Sequence, residues 1–115
     1  MRRVYVAGAY SDNNVIGVLT NMRLGMRAST EVFLAGFAPF SPWLDYHFVL
    51  QLQGDEQITV EDFYEYSLAW LRAADVVYVL PDWEQSKGTR AEIAEAERHG
   101  IPVVYSMEEL KQWHR

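Results

Sequence analysis

Val76-Val77-Tyr78-Val79-Leu80-Pro81-Asp82-Trp83-Glu84-Gln85-Ser86-Lys87-Gly88-Thr89-Arg90-Ala91-Glu92 is the stretch on which the fold turns. Its first five residues form an unbroken apolar run of the kind that is buried on both faces of a parallel sheet. A helical pattern follows Ser86. The stretch therefore predicts a strand-to-helix corner, the place where open α/β sheets bind ligands.

The rest of the chain supplies the frame for that corner. Upstream, Val4–Ala7 reads as a first strand, and Gly8 stands where the backbone must turn sharply or approach a ligand. Apolar positions Val15, Val18, Leu19, Met22, Met26 and Phe33 predict one helix from Asn13 to about Leu34, with Asp12 or Asn13 as N-cap and Gly36 as the stop. The prolines in Phe37–Pro42 limit a second strand to the start of that segment. Trp43–Gln53 is aromatic and then amphipathic, which suits either a short helix or a lid over the corner.

Thr59 and Asp62 read as an N-cap pair opening a helix whose face is Phe63, Tyr66, Trp70 and Ala74. Downstream, Ala91, Ile93 and Ala94 carry a helix to Gly100, and Pro102 enforces its end. Val103–Tyr105 reads as a fourth strand. Ser106 and Glu109 form a capping box for a last helix with Leu110 and Trp113 as apolar contacts.

This alternation predicts a small doubly wound, flavodoxin- or Rossmann-like α/β fold: a parallel sheet of four or five strands with helices on both faces. At 115 residues it reads as one domain, residues 1–115, able to bury about two-thirds of its unfolded surface.

Composition narrows the function. Half of the residues are apolar and 23% are charged, which excludes a disordered chain. A formal net charge of −6 argues against a nucleic-acid polymer as partner. The chain has no cysteine, and its three histidines show no metal-ligand spacing. Met1-Arg2-Arg3 precedes an apolar run too short for a signal sequence, so the expectation is a cytoplasmic protein without a membrane span.

Two corners converge at the carboxyl ends of the first and third strands: Gly8-Ala9-Tyr10-Ser11, and Asp82 to Glu92. Ser86, Gly88 and Thr89 present hydroxyls and backbone donors at the start of a helix, which suits an anionic or hydroxylated ligand. Glu92 lies one turn inside that helix. Its carboxylate either serves the ligand or only complements the helix dipole. Asp75 falls at the amino end of the third strand and reads as structural.

The pattern Ser86-x-Gly88-x-x-x-Glu92, with Ala74-Asp75-Val76-Val77 before it and Val4-Tyr5-Val6-Ala7-Gly8 at the start, resembles the nucleoside 2-deoxyribosyltransferase superfamily. That superfamily includes the 2′-deoxynucleoside 5′-monophosphate N-glycosidases. The likeness is nearest to its short phage and bacterial members, which carry a Leu-Pro-x-Trp-x-x-Ser-x-Gly signature similar to Leu80–Gly88.

The resemblance implies N-glycosidic bond cleavage, by hydrolysis or base exchange, of a nucleoside or its 5′-monophosphate. It implies Glu92 as nucleophile, with Tyr5 orienting it, although Tyr5 also reads as a core tyrosine. At the two corners Gly8, Ser11, Asp82, Ser86 and Gly88 are expected to contact substrate, and Tyr10 and Trp83 read equally as base-stacking rings or as core or interface aromatics; no metal or organic cofactor is needed, and the resemblance implies a homodimer or larger homo-oligomer. Serine at 86 resembles the monophosphate hydrolases and points toward a nucleotide or a hydrolytic reaction.

Three positions depart from the pattern. Ser67 stands where the family usually has an aspartate that helps the base leave, and Ala9 and Ser11 replace a serine and an arginine used for phosphate. Two alternatives follow. One is a nucleotide-binding module without turnover. The other is a phosphoribohydrolase of the cytokinin-activating type, suggested by Leu80-Pro81 with Gly88-Thr89-x-x-Glu92 but lacking that motif's glycine pair.

Overall fold

A computed structural model describes residues 1–114. Strands β1 (Arg3–Ala7), β2 (Ala38–Phe40), β3 (Val76–Val79) and β4 (Val103–Val104) form one parallel sheet in the order β2-β1-β3-β4. Tyr5 stands opposite Phe40 on one side and Val77 on the other. The helices are α1 (Val15–Leu34), α2 (Tyr46–Leu50), α3 (Val60–Arg72), α4 (Lys87–Arg98) and α5 (Met107–His114).

The period-two alternation of β1 and β3 sorts the core into two layers. Val4, Val6, Val76 and Tyr78 face α1 and α5, packing on Ala28, Val32 and Leu110. Tyr5, Ala7, Val77 and Val79 face α3 and α4, packing on Leu71, Ile93 and Ala96. The fold is therefore doubly wound. Because β2 lies to one side of β1 and β3 to the other, the strand order reverses between β1 and β3. That reversal opens a crevice beyond their carboxyl ends.

Several local expectations change. The N-cap of α1 is Asn14, whose side chain accepts from the Gly17 amide at 2.8 Å, while Asp12 instead accepts from the Asn14 amide. The face of α1 against the sheet is Gly25, Ala28, Ser29 and Val32, leaving Val15, Leu19 and Phe33 exposed. Small residues win there because the Trp43 indole lies flat against the helix. A Cβ on Gly25 would stand 2.2 Å from Trp43 Cδ2.

β2 runs through Pro39 rather than stopping before it. As the sheet's edge strand it tolerates a residue without an amide donor. On α3 the Thr59–Asp62 capping box is present, but the core contacts come from Leu68 and Leu71. Trp70 stays half exposed and stacks on Phe40 at 5.5 Å. On α4, Ile93 and Ala96 face inward while Ala91 and Ala94 are exposed. β4 ends at Val104, and Ser106 caps α5 by accepting from the Glu109 amide at 3.0 Å. Among the described residues no helix is long and apolar enough to cross a membrane.

Candidate functional site

The ladder continues past β3: the Leu80 amide donates to the Ala7 carbonyl at 2.9 Å, so the two expected corners leave the sheet side by side. Between them opens a cleft of about 790 Å³, within the usual size range of small-molecule sites. Its floor and near wall are Gly8 to Asp12 and Ser86 to Glu92. Its far wall comes from α3, through Phe63, Tyr64 and Ser67, and from the segment after β2, through Pro42, Trp43, Asp45, Tyr46 and Val49. That segment forms a 3-10 turn at Pro42–Asp45 followed by α2, so it is both a short helix and a wall over the corner.

Glu92 projects from the second turn of α4 back toward the helix start, as side chains on a helix do. Its carboxylate accepts a short hydrogen bond from the Tyr5 phenol. Glu92 as a residue is only partly buried, yet its carboxyl lies deep at the cleft floor, and burial raises its pKa to about 7, with the Tyr5 hydrogen bond opposing. Tyr5 is fully buried. Its own pKa is pushed well up, first by burial and then by the charge of Glu92, with the Ser67 hydroxyl acting in the other direction. The Tyr5 ring packs in the core, and its hydroxyl donates to Glu92, which lines the cleft.

Ser86 caps α4. Its Oγ accepts from the Thr89 amide at 3.2 Å and from the Thr89 hydroxyl at 2.8 Å. Asp82 lines the cleft in a left-handed conformation, φ 66°, where Asp and Asn are the side chains best tolerated after glycine. Gly88 is open on the cleft side: an added Cβ would meet only Tyr64 Cε1, at 3.9 Å. Gly8 is crowded instead, with Leu80 Cδ1 2.9 Å from an added Cβ.

Trp83 does not line the cleft. It is partly buried against the α3–α4 layer and lies 5.6 Å from the Tyr105 ring. Trp43 is 2% exposed, and its indole Nε1 donates to the Ala9 carbonyl at 3.1 Å, which pins the first corner. Asp75 accepts from the Arg3 amide at 2.7 Å at the far end of the sheet.

One cleft residue escaped the sequence reading. Asp45 is 8% exposed and accepts from the Tyr10 phenol at 2.8 Å. Burial raises its pKa, opposed by that hydrogen bond. A single carboxylate inside the apolar run Pro42-Trp43-Leu44-Asp45-Tyr46 was the available signal.

A family model described as a domain of unknown function, DUF4406, matches residues 2–105. The chain belongs to the DUF4406 family.

No curated protein matches this DUF4406 chain in sequence. Among solved structures it is similar to a 2-deoxyribosyltransferase from the psychrotolerant bacterium Bacillus psychrosaccharolyticus, characterised for nucleoside synthesis. The TM-score is 0.60 and the identity 19%, covering 88% of this chain and 69% of the other. The shared α/β architecture gives this chain a fold like that of the 2-deoxyribosyltransferase. In this DUF4406 chain the carboxylate and phenol that the sequence pattern singled out, Glu92 and Tyr5, meet directly. Gly8, Tyr10, Ser11, Asp82, Ser86 and Gly88 line the same cleft.

Proposed function

We propose that this chain is a cytoplasmic enzyme, one nucleoside 2-deoxyribosyltransferase-like domain over residues 1–115, that cleaves the N-glycosidic bond of a nucleoside through Glu92. The observation that carries this reading is Glu92 lining the switch-point cleft, hydrogen-bonded from behind by the buried Tyr5 phenol. A carboxylate there can attack an anomeric carbon as the base departs, forming a glycosyl ester that water or a second base then opens. The Tyr5 phenol holds the ionised carboxylate in one orientation and keeps it a nucleophile despite its burial.

Charge favours an uncharged nucleoside over its 5′-monophosphate. Leaving aside Asp45, whose burial favours its protonated form, the cleft carries Asp12, Asp82 and Glu92 against one cation, Lys87, and such an excess of carboxylates repels a dianionic phosphate. Ser86, which in the sequence pointed toward nucleotides, spends its oxygen lone pairs on Thr89. This balance also weighs against the phosphoribohydrolase alternative.

The deciding experiment incubates the protein with ribo- and deoxyribonucleosides and their monophosphates and follows free base by chromatography. The expected result is base release from a nucleoside, abolished in Glu92→Gln. Full activity in Glu92→Gln refutes the reading. Binding without base release from any compound favours the nucleotide-binding module, the alternative supported by the serine at position 67 beside Tyr5.

The proposal extends to a homodimer or larger homo-oligomer. Ile16 is 75% exposed and, with Leu19, Met22, Arg23 and Met26, lines a groove of about 450 Å³ on α1. Leu44, Phe48 and Leu50 are exposed nearby in sequence to the cleft wall. Size-exclusion chromatography with light scattering gives the mass directly, and a monomer at micromolar concentration contradicts this part.

A further inference from the structure

We infer that Asp45, oriented by Tyr10, is the acid that protonates the departing base. The inference rests on the N-glycosidase reading and adds the group that reading lacks. An N-glycosidic bond breaks with its electron pair going to the base. An ordinary nucleobase is a poor leaving group until a ring nitrogen takes up a proton. Ser67, the hydroxyl facing Tyr5, is too weak an acid to supply that proton.

Asp45 has the placement for the task. It stands at the junction of the 3-10 turn and α2, yet its side chain makes no capping bond to the helix. Instead Oδ1 accepts from the Tyr10 hydroxyl at 2.8 Å. No described residue donates to Oδ2. Since no described side-chain oxygen is both fully buried and unpartnered, Oδ2 keeps some solvent access on a residue that lines the cleft. After burial, the charge of Glu92 and, more weakly, that of Asp45 raise the pKa of the Tyr5 phenol.

A buried carboxyl that forgoes local capping and lines a cleft has no evident structural purpose there. Its burial favours the protonated form, which a proton donor needs.

The steps balance. Glu92 bonds to the anomeric carbon as the carbon–nitrogen bond breaks, and the Oδ2 proton of Asp45 passes to the base nitrogen, leaving an Asp45 carboxylate. Water then attacks the anomeric carbon, Glu92 departs as carboxylate, and the water's proton restores Asp45. Tyr10 is a positioning residue in this scheme.

The test compares 2′-deoxyguanosine with 7-methyl-2′-deoxyguanosine, whose cationic base leaves as a neutral species without needing a proton. Asp45→Asn keeps the shape and an acceptor for Tyr10. It is expected to lower kcat/KM on 2′-deoxyguanosine about 100-fold or more and on the 7-methyl compound less than about tenfold. Tyr10→Phe, which leaves the buried carboxyl itself intact, shows the same selectivity with a smaller loss. Equal loss on both compounds in both variants, or no loss on 2′-deoxyguanosine, overturns the assignment of Asp45 while leaving Glu92 as nucleophile. Failure of the unaltered protein to cleave either compound overturns it together with the reading it rests on.

Discussion

Replacing Glu92 by glutamine stabilises the folded protein at alkaline pH and leaves it nearly unchanged at acid pH. The carboxyl titrates near 4.5 when unfolded and at about 7 in the folded cleft. A carboxyl whose folded pKa is raised contributes its full stability below the unfolded value and loses it as pH climbs to the folded value. At about 1.4 kcal/mol per pH unit, the window from 4.5 to about 7 amounts to a cost on the order of 3 kcal/mol at pH 8.

Glutamine accepts the Tyr5 hydrogen bond without the charge, so Glu92→Gln escapes that cost. Urea unfolding at pH 4.5 and pH 8 reads it: the two proteins coincide at the lower pH, and the variant is more stable at the higher one. For a domain of this size the gain corresponds to roughly 10 °C in Tm. The assay requires no substrate. A stability difference independent of pH, or a destabilised variant at pH 8, refutes the placement of an ionisable carboxyl in a desolvating cleft.

Other outcomes follow from the same geometry. In Tyr5→Phe the carboxylate loses its donor, a charged hydrogen bond of about 1.5–3 kcal/mol. The acid limb of the kcat/KM profile, rising through about 7 in the unaltered protein, therefore moves up by about 1–2 pH units; an unmoved limb contradicts the role given to the phenol. Gly25→Ala drives a methyl to within 2.2 Å of the Trp43 ring, and denaturant titration is expected to show a loss of about 1–3 kcal/mol. Glu95→Ala releases the ties that Arg72 of α3 and Arg98 of α4 make to one carboxylate. Faster hydrogen exchange in α3 and the second half of α4 is the expected readout.

The strand-to-helix corners were legible because each rests on local chemistry. An apolar run ending in Leu80-Pro81, a serine cap and a glycine two residues on specify a turn almost without tertiary help. That Tyr5 and Glu92 meet was suggested by the family resemblance, since local spacing alone left Glu92 open between a ligand and the helix dipole. The inward face of α1 was not legible, because it is set by Trp43, a ring from a distant segment that selects Gly25 over the larger residues near it. The direction of Trp83 was open on similar grounds: an aromatic within such a loop points either way, and here its ring lies against the Tyr105 ring and the α3–α4 layer. Asp45 was overlooked because only the folding of Pro42–Leu50 over the first corner brings it to Tyr10.

That last case bears on how the chemistry of such a cleft can be distributed. A proton donor is defined by where its oxygen sits relative to the scissile bond, and the sheet does not dictate which element supplies it. The sequence pattern expects an acid on α3, at position 67, and its replacement by serine reads as a missing function. In the folded chain another segment of the same far wall, the turn after β2, carries a carboxyl that lines the cleft and is tethered by a phenol from the first corner. Moving the acid from one element to another carries a physical consequence: Asp45 sits where the 3-10 turn meets α2, beside exposed Leu44, Tyr46 and Phe48, rather than on a long helix clamped through Glu95. Anything that covers or shifts α2, a second copy of the chain included, therefore acts directly on the acid and only indirectly on the nucleophile. Dilution to monomer is thus expected to depress cleavage of 2′-deoxyguanosine more than that of its 7-methyl derivative.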